Sequence, residues 1–209
     1  MDDVIKYGKY KIKDVKKITE AFYSEDKNLY GSIGQTIGFF NLLFHNLPIE
    51  VLADLKNTSI LDWGCGGGVG SYMLRLLTHN TTKITGLDIS SVAINHATVT
   101  YSTFDIDYTT KVLDDEKYDI IINSNCLEHF TNGLELVEKH LLNNTNKYYI
   151  ILIPFKGRIV DEIGDHLVSY DDFDFPLELG GAKLCTKKLI WAGPYGCWLG
   201  NQLLVIYRK

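Results

Sequence analysis

The sequence predicts an α/β domain built on a mainly parallel sheet with helices on both faces. Three observations predict it. From residue 58 onward, short apolar runs of strand length alternate with amphipathic segments of helix length, the pattern of parallel strands joined by crossover helices. The first run ends in Asp62-Trp63-Gly64-Cys65-Gly66-Gly67-Gly68, a glycine turn that opens directly into a helical segment. Twenty residues beyond Gly68, a second run, Ile84-Thr85-Gly86-Leu87-Asp88, ends in an acid.

Taken in order, residues 1–57 read as a helical cap and residues 58–209 as the domain proper. Val15, Ile18 and Phe22 fall on one helix face, and Ile37, Phe40, Phe44 and Leu47 on another that Pro48 ends. Phe22, Phe39, Phe40 and Phe44 are expected to pack in the core. Between these helices lies a polar connector, and Tyr23 and Tyr30 on it have hydroxyls to offer the substrate. Strand 59–63 then precedes helix 69–78, and strand 83–87 precedes helix 91–97, for which Ser90 is the N-cap. A strand over 98–104 leads into a loop rich in Asp and Thr. Strand 119–124, helix 131–142 and strand 147–153 follow. Two strand-like runs surround the turn Gly193-Pro194-Tyr195-Gly196 near the end.

Composition excludes several classes. A chain of 209 residues holds one domain, with or without a cap. No apolar run reaches the ~18 residues that span a bilayer, so no membrane partner is expected. The N-terminus lacks the basic-then-apolar shape of a signal peptide, which makes the cytoplasm the expected location. The net charge of −5, without a basic run longer than two lysines, counts against a nucleic-acid partner, whose phosphates call for a basic face. Cys65, Cys126, Cys185 and Cys197 form no C-x-x-C pair, so neither a zinc site nor a disulfide framework is expected.

The glycine spacing selects the ligand. In the dinucleotide pattern G-x-G-x-x-G, the third glycine would fall on Val69 or Ser71, which disfavours a nicotinamide cofactor. The frame that fits is acid-x-Gly-x-Gly-x-Gly, with Asp62, Gly64, Gly66 and Gly68. Glycines permit positive φ in a tight turn and let a ligand lie against the backbone. The helix start behind them presents free N–H groups. An acid ending the second strand, Asp88, is placed to accept two ribose hydroxyls.

This pair of motifs resembles the class I S-adenosylmethionine-dependent methyltransferases. The resemblance continues through Phe104-Asp105, through Tyr118 to Ser124 with Asn125-Cys126-Leu127-Glu128-His129-Phe130, and through Tyr148 to Pro154, and it covers roughly residues 58 to 155. It implies a Rossmann-like seven-stranded sheet closed by an antiparallel hairpin over 184–209, with the N-terminal helices as a lid over the substrate. It also implies cofactor contacts. Gly64, Gly66 and Gly68 would receive the methionine part, with Cys65 lining the pocket. Asp62 would orient the ammonium, Asp88 the ribose, and Ile89 would pack on the adenine. Asp105 would accept from the adenine amino group, with Phe104 beside it. Asn123, Ser124 and Asn125 end the fourth strand, at the edge where open sheets bind ligands. Asn123 is assigned to the cofactor and Asn125 to the acceptor.

The implied reaction is methyl transfer to oxygen, or to nitrogen, of a small molecule such as a sugar or natural-product metabolite. His166 and His129 are the candidate bases, since a neutral imidazole takes a proton near pH 7. Arg158 could bind an anionic acceptor. No metal ligand set is expected. Enzymes of this kind that act on base amines carry an acid-or-amide-Pro-Pro-aromatic segment where this chain has Asn123-Ser124-Asn125-Cys126. The alternatives are a protein or peptide methyltransferase and a non-catalytic binding protein of the same fold.

Overall fold

The computed structural model describes residues 6–7, 10–25, 33–111, 116–157, 166–191 and 200–209. The chain begins with a two-stranded pair, β1 (Lys6–Tyr7) and β2 (Tyr10–Lys11), and helix α1 (Ile12–Tyr23). Helices α2 (Ile33–Asn46) and α3 (Ile49–Ala53) follow. The main body then runs β3 (Ser59–Trp63), α4 (Val69–Leu77), β4 (Lys83–Leu87), α5 (Ser91–Thr100), β5 (Asp107–Thr109) and β6 (Tyr118–Ser124). A 3-10 turn, Leu127–His129, precedes α6 (Gly133–Leu136), which continues through a π turn and a second 3-10 turn to Asn144. The last strands are β7 (Thr145–Pro154), β8 (Glu178–Leu179), β9 (Ala182–Trp191) and β10 (Asn201–Arg208).

One sheet of eight strands, in the order β5-β4-β3-β6-β7-β10-β9-β8, carries the fold. The first five are parallel, and β10, β9 and β8 are antiparallel to their neighbours. The expected closing hairpin is β9–β10. The expected seven strands become eight because Gly180 and Gly181, both at positive φ, turn the chain tightly enough to pair β8 with β9. Side chains alternate between the two faces, as the period of a strand demands. Leu61, Ile121, Tyr149, Ile151 and Val205 meet the α6 segment, Tyr170 and Phe175 on one face. Ile60, Ile120, Ile122, Ile150 and Leu204 meet α2, α3 and α4 on the other.

The second half of the expected cap is therefore core: Phe39, Phe40, Leu43 and Val51 are buried against the sheet, with Phe44 packed beside them. Phe22 corrects the expectation of a buried aromatic, being 51% exposed. The expected strand 98–104 is also corrected. Helix α5 continues to Thr100, a turn takes Tyr101 to Phe104, and the strand forms only at Asp107. Ala93, Ile94 and Ala97 give α5 a continuous buried face, while Val99 points to solvent. The turn Gly193-Pro194-Tyr195-Gly196 lies outside the described residues. Among those described, no helix is long and apolar enough to cross a membrane.

Candidate functional site

Strand register assembles the site. Trp63, Leu87 and Thr109 lie side by side at the carboxyl edge, so the glycine turn after β3 and Asp88 after β4 emerge together. Strand order reverses between β3 and β6, which makes a crevice there. Ser124 pairs with Leu152, so Asn125 and Cys126 enter the same crevice from the other side.

The glycine turn is held by the neighbouring strand: Gly64 N and Cys65 N both donate to Leu87 O, at 2.8 and 3.0 Å. Gly64, Gly66 and Gly68 have φ of 81°, 51° and 88°. A Cβ on Gly64 would stand 2.4 Å from Cys126 Sγ, and one on Gly66 would stand 2.7 Å from the Tyr23 hydroxyl. The turn is a cradle that any side chain would fill. Burial raises the pKa of both Cys65 and Cys126, which keeps them as neutral thiols against the turn.

Asp88 is buried, and each carboxylate oxygen accepts one backbone amide: Oδ2 from Gly66 N at 3.0 Å and Oδ1 from Ser90 N at 2.9 Å. An ionised carboxylate offers about four lone-pair positions, so one remains on each oxygen. That arrangement fits a vicinal diol, and the ribose of S-adenosylmethionine has one. Burial raises the Asp88 pKa, partly offset by those amides. Asp62 is buried beneath the turn and accepts from Ser71 Oγ at 2.7 Å. Burial, with the nearby Asp88 charge, pushes its pKa up to about 7. A cationic ammonium is the partner that would hold it ionised. Asn123 is buried at the end of β6, and its Oδ1 has no hydrogen-bond partner among the described residues. Ile89 is half-buried beside Asp88.

Phe104 and Asp105 are placed elsewhere. They precede β5, level with the start of β4, at the amino edge of the sheet. Arg75 Nε donates to Asp105 O at 3.1 Å, and the Asp105 side chain is exposed. Phe104 stacks edge-on to Tyr72 and lines a separate depression of about 350 Å³ with Tyr101 and Ile106. The three-residue shift in helix end carries both away from the cleft.

On the acceptor side, Asn125 holds φ +50° and donates its N–H to Leu152 O at 2.8 Å. His129 and His166 are 37 positions apart in sequence, yet their rings stand 5.4 Å apart, centroid to centroid. The segment carrying His166 is docked on the 3-10 turn: Leu167 N and Val168 N both donate to Glu128 O, at 2.8 and 3.1 Å. The Glu128 carboxylate is buried and lies 3.8 Å from His166 Nε2. Ligand-type atoms of Glu128, His129 and His166 all fall within 4.8 Å of one another, so these three could hold a cation. The sequence pointed to both histidines but not to Glu128 or to the meeting of the three, because nothing local relates residue 166 to 128. Tyr23 sits on the glycine turn, at the cofactor end rather than the acceptor end where it was expected. Tyr30 and Arg158 lie outside the described residues.

A methyltransferase-domain family model matches residues 39–147. A ubiquinone biosynthesis O-methyltransferase of Rickettsia conorii is 30% identical over 167 residues, which cover 69% of this chain and 57% of that protein. One from Coxiella burnetii is 34% identical over 164 residues, covering 65% of this chain and 68% of that protein. The chain thus spans little more than half the length of the first of these relatives. Among solved structures, magnesium protoporphyrin IX methyltransferase from Synechocystis with bound S-adenosylmethionine superposes with a TM-score of 0.64 at 15% identity, over 94% of this chain and 96% of that one. A methyltransferase from Haloferax volcanii, in complex with the activator Trm112, superposes with a TM-score of 0.67 at 13% identity, over 91% and 96%.

Proposed function

Because this chain belongs to the class I S-adenosylmethionine-dependent methyltransferase family, we propose that it transfers a methyl group to a hydroxyl oxygen of a small-molecule acceptor. The observation that carries the choice of oxygen is the Glu128–His129–His166 group, brought together at the carboxyl edge beside the cofactor cradle. The O-methyltransferase relatives support the same choice. When bound, S-adenosylmethionine supplies an electrophilic methyl carbon on a cationic sulfur. The protein's part is to align, to exclude water and to accept a proton.

Asp88 would hold the ribose hydroxyls, Asp62 the ammonium, and the glycine turn with Cys65 and Asn123 the amino-acid part. Asn125 lies at the acceptor side, and Tyr30 and Arg158 are proposed to complete it. An imidazole of His166 or His129 would accept the proton of the acceptor hydroxyl as that oxygen is methylated. Glu128, 3.8 Å from His166, stabilises the imidazolium that forms. A second reading rests on the same three residues: a divalent cation held there would polarise the hydroxyl directly.

The test is transfer of an isotopically labelled methyl group to a panel of hydroxylated and aminated small molecules. An ether product, formed with one S-adenosylhomocysteine per methyl, is expected. Label appearing only on nitrogen, or only on protein, would contradict the proposal. His166→Ala is expected to lower turnover by about 10²-fold or more with little change in cofactor affinity. Addition of a chelator, then of Mg²⁺, Mn²⁺ or Zn²⁺, separates the two readings.

A further inference from the structure

Helix α1 grips both walls of the cofactor cleft, and we infer that Glu20 is the latch that holds it there and so governs cofactor entry and release. The inference rests on the cofactor reading above and adds a positioning residue to it. The Glu20 carboxylate accepts Ser91 N at 2.9 Å, Val92 N at 3.2 Å and Ser91 Oγ at 2.6 Å, with Ser90 Oγ at 3.5 Å. Ser91 N and Val92 N are first-turn amides of α5, which no carbonyl of that helix can satisfy. Ser90 Oγ caps only Ala93 N, at 3.2 Å. A negative group at this end also meets the positive pole of the helix. Glu20 thus supplies, from 71 positions away in sequence, the rest of the cap.

The capped turn is the one that carries Asp88, which takes Ser90 N. Two carboxylates therefore divide the donors of one turn: Asp88 receives the first amide, Glu20 the next two. One turn along α1, Tyr23 sets its hydroxyl against Gly66, whose amide is the other donor to Asp88. Helix α1 is a clasp across the α5 turn and the glycine turn, the two sides of Asp88. Among the side chains of α1 whose burial is described, none is fully buried, and Thr19, Glu20 and Tyr23 are half-buried. Its hydrogen bonds, that to Ser91 first, hold the Glu20 carboxyl below its ordinary range, so the latch stays charged at neutral pH.

The experiment is stopped-flow binding of S-adenosylhomocysteine to the full chain, read by intrinsic fluorescence, for wild type, Glu20→Gln and Glu20→Ala. A latch predicts that association and dissociation rate constants both rise in Glu20→Ala, by about tenfold for the loss of charge-assisted bonds, with a much smaller change in Kd. Glu20→Gln should fall between. Tyr207→Phe, which removes a remote hydrogen bond to Pro176 O, controls for general destabilisation and should leave both rates unchanged. Unchanged rates in Glu20→Ala, or a rise in dissociation alone as a direct cofactor contact would give, overturn the latch. Amide hydrogen exchange on the ligand-free protein tests it separately. Ser91 and Val92 should be protected in wild type and exposed in Glu20→Ala, together with α1, and equal protection overturns the inference. Loss of protection in a protein that binds no S-adenosylhomocysteine would leave the latch standing and sink the cofactor reading instead.

Discussion

Asp88→Ala removes the carboxylate whose two oxygens each keep a position for a hydroxyl after accepting Gly66 N and Ser90 N. Cofactor affinity is expected to fall by about 1.5–3 kcal/mol, the scale of hydrogen bonds to a charged group. Calorimetry of S-adenosylhomocysteine binding checks it, and unchanged affinity would refute the ribose role. Asp62 makes a pH prediction. With a pKa of about 7, it is protonated below neutrality in the free protein. Pairing with an ammonium requires the ionised form, so binding expels a proton when the pH is below that value. Affinity should therefore weaken as pH falls through 7, by at most about tenfold per unit, and Asp62→Asn should flatten the profile. Both acids were readable in the sequence because each sits next to a strand end and at a fixed distance from the glycines. Glu20 and Glu128 were not. Their partners lie across the fold, and an acid on a helix or before a histidine carries no local mark of what it will meet.

Element boundaries explain the main misplacement. Thr98-Val99-Thr100-Tyr101 is rich in β-branched and aromatic residues, which favour strands, and it follows a helix read as ending at Ala97. The helix continues because its buried face is already set and its N-terminus is doubly capped, by Ser90 and by Glu20. Three more helical residues move Phe104 and Asp105 to the amino edge. Asp105→Ala should then leave cofactor affinity unchanged, since the Asp105 side chain is exposed and Arg75 holds its carbonyl. Arg75→Ala should instead lower stability by about 2 kcal/mol, because Arg75 is buried and also donates to Thr82 O at 2.8 Å, leaving both carbonyls without it. Thermal or urea unfolding of the two variants, beside their cofactor titrations, checks both statements. The other four parallel strands, β3, β4, β6 and β7, were placed to within a residue or two. Each is an apolar run too short for a helix, with turn residues at its ends.

The whole molecule follows from packing on both sides of one sheet. A strand such as β7 buries Tyr149, Ile151 and Ile153 on one side and Tyr148, Ile150 and Leu152 on the other, so its sequence shows no alternation, only a continuous apolar run. The order of helices and strands along the chain was therefore enough to foresee the sheet and the crevice at its reversal. The burial of α2 rather than α1 was not foreseen, because both α1 and α2 carry an apolar face in the sequence and only the assembled sheet selects α2 to be buried. The acceptor side is the least readable part, since its residues come from segments after β6 and β7 that meet only in three dimensions.

The crevice is built for S-adenosylmethionine rather than for a dinucleotide. The most direct test is calorimetric titration of the purified protein with S-adenosylhomocysteine and, separately, with NAD. One site of micromolar affinity is expected for the first, weakened in Asp88→Ala, and no heat of binding for the second. Binding of NAD, or no binding of S-adenosylhomocysteine by a folded protein, would contradict it.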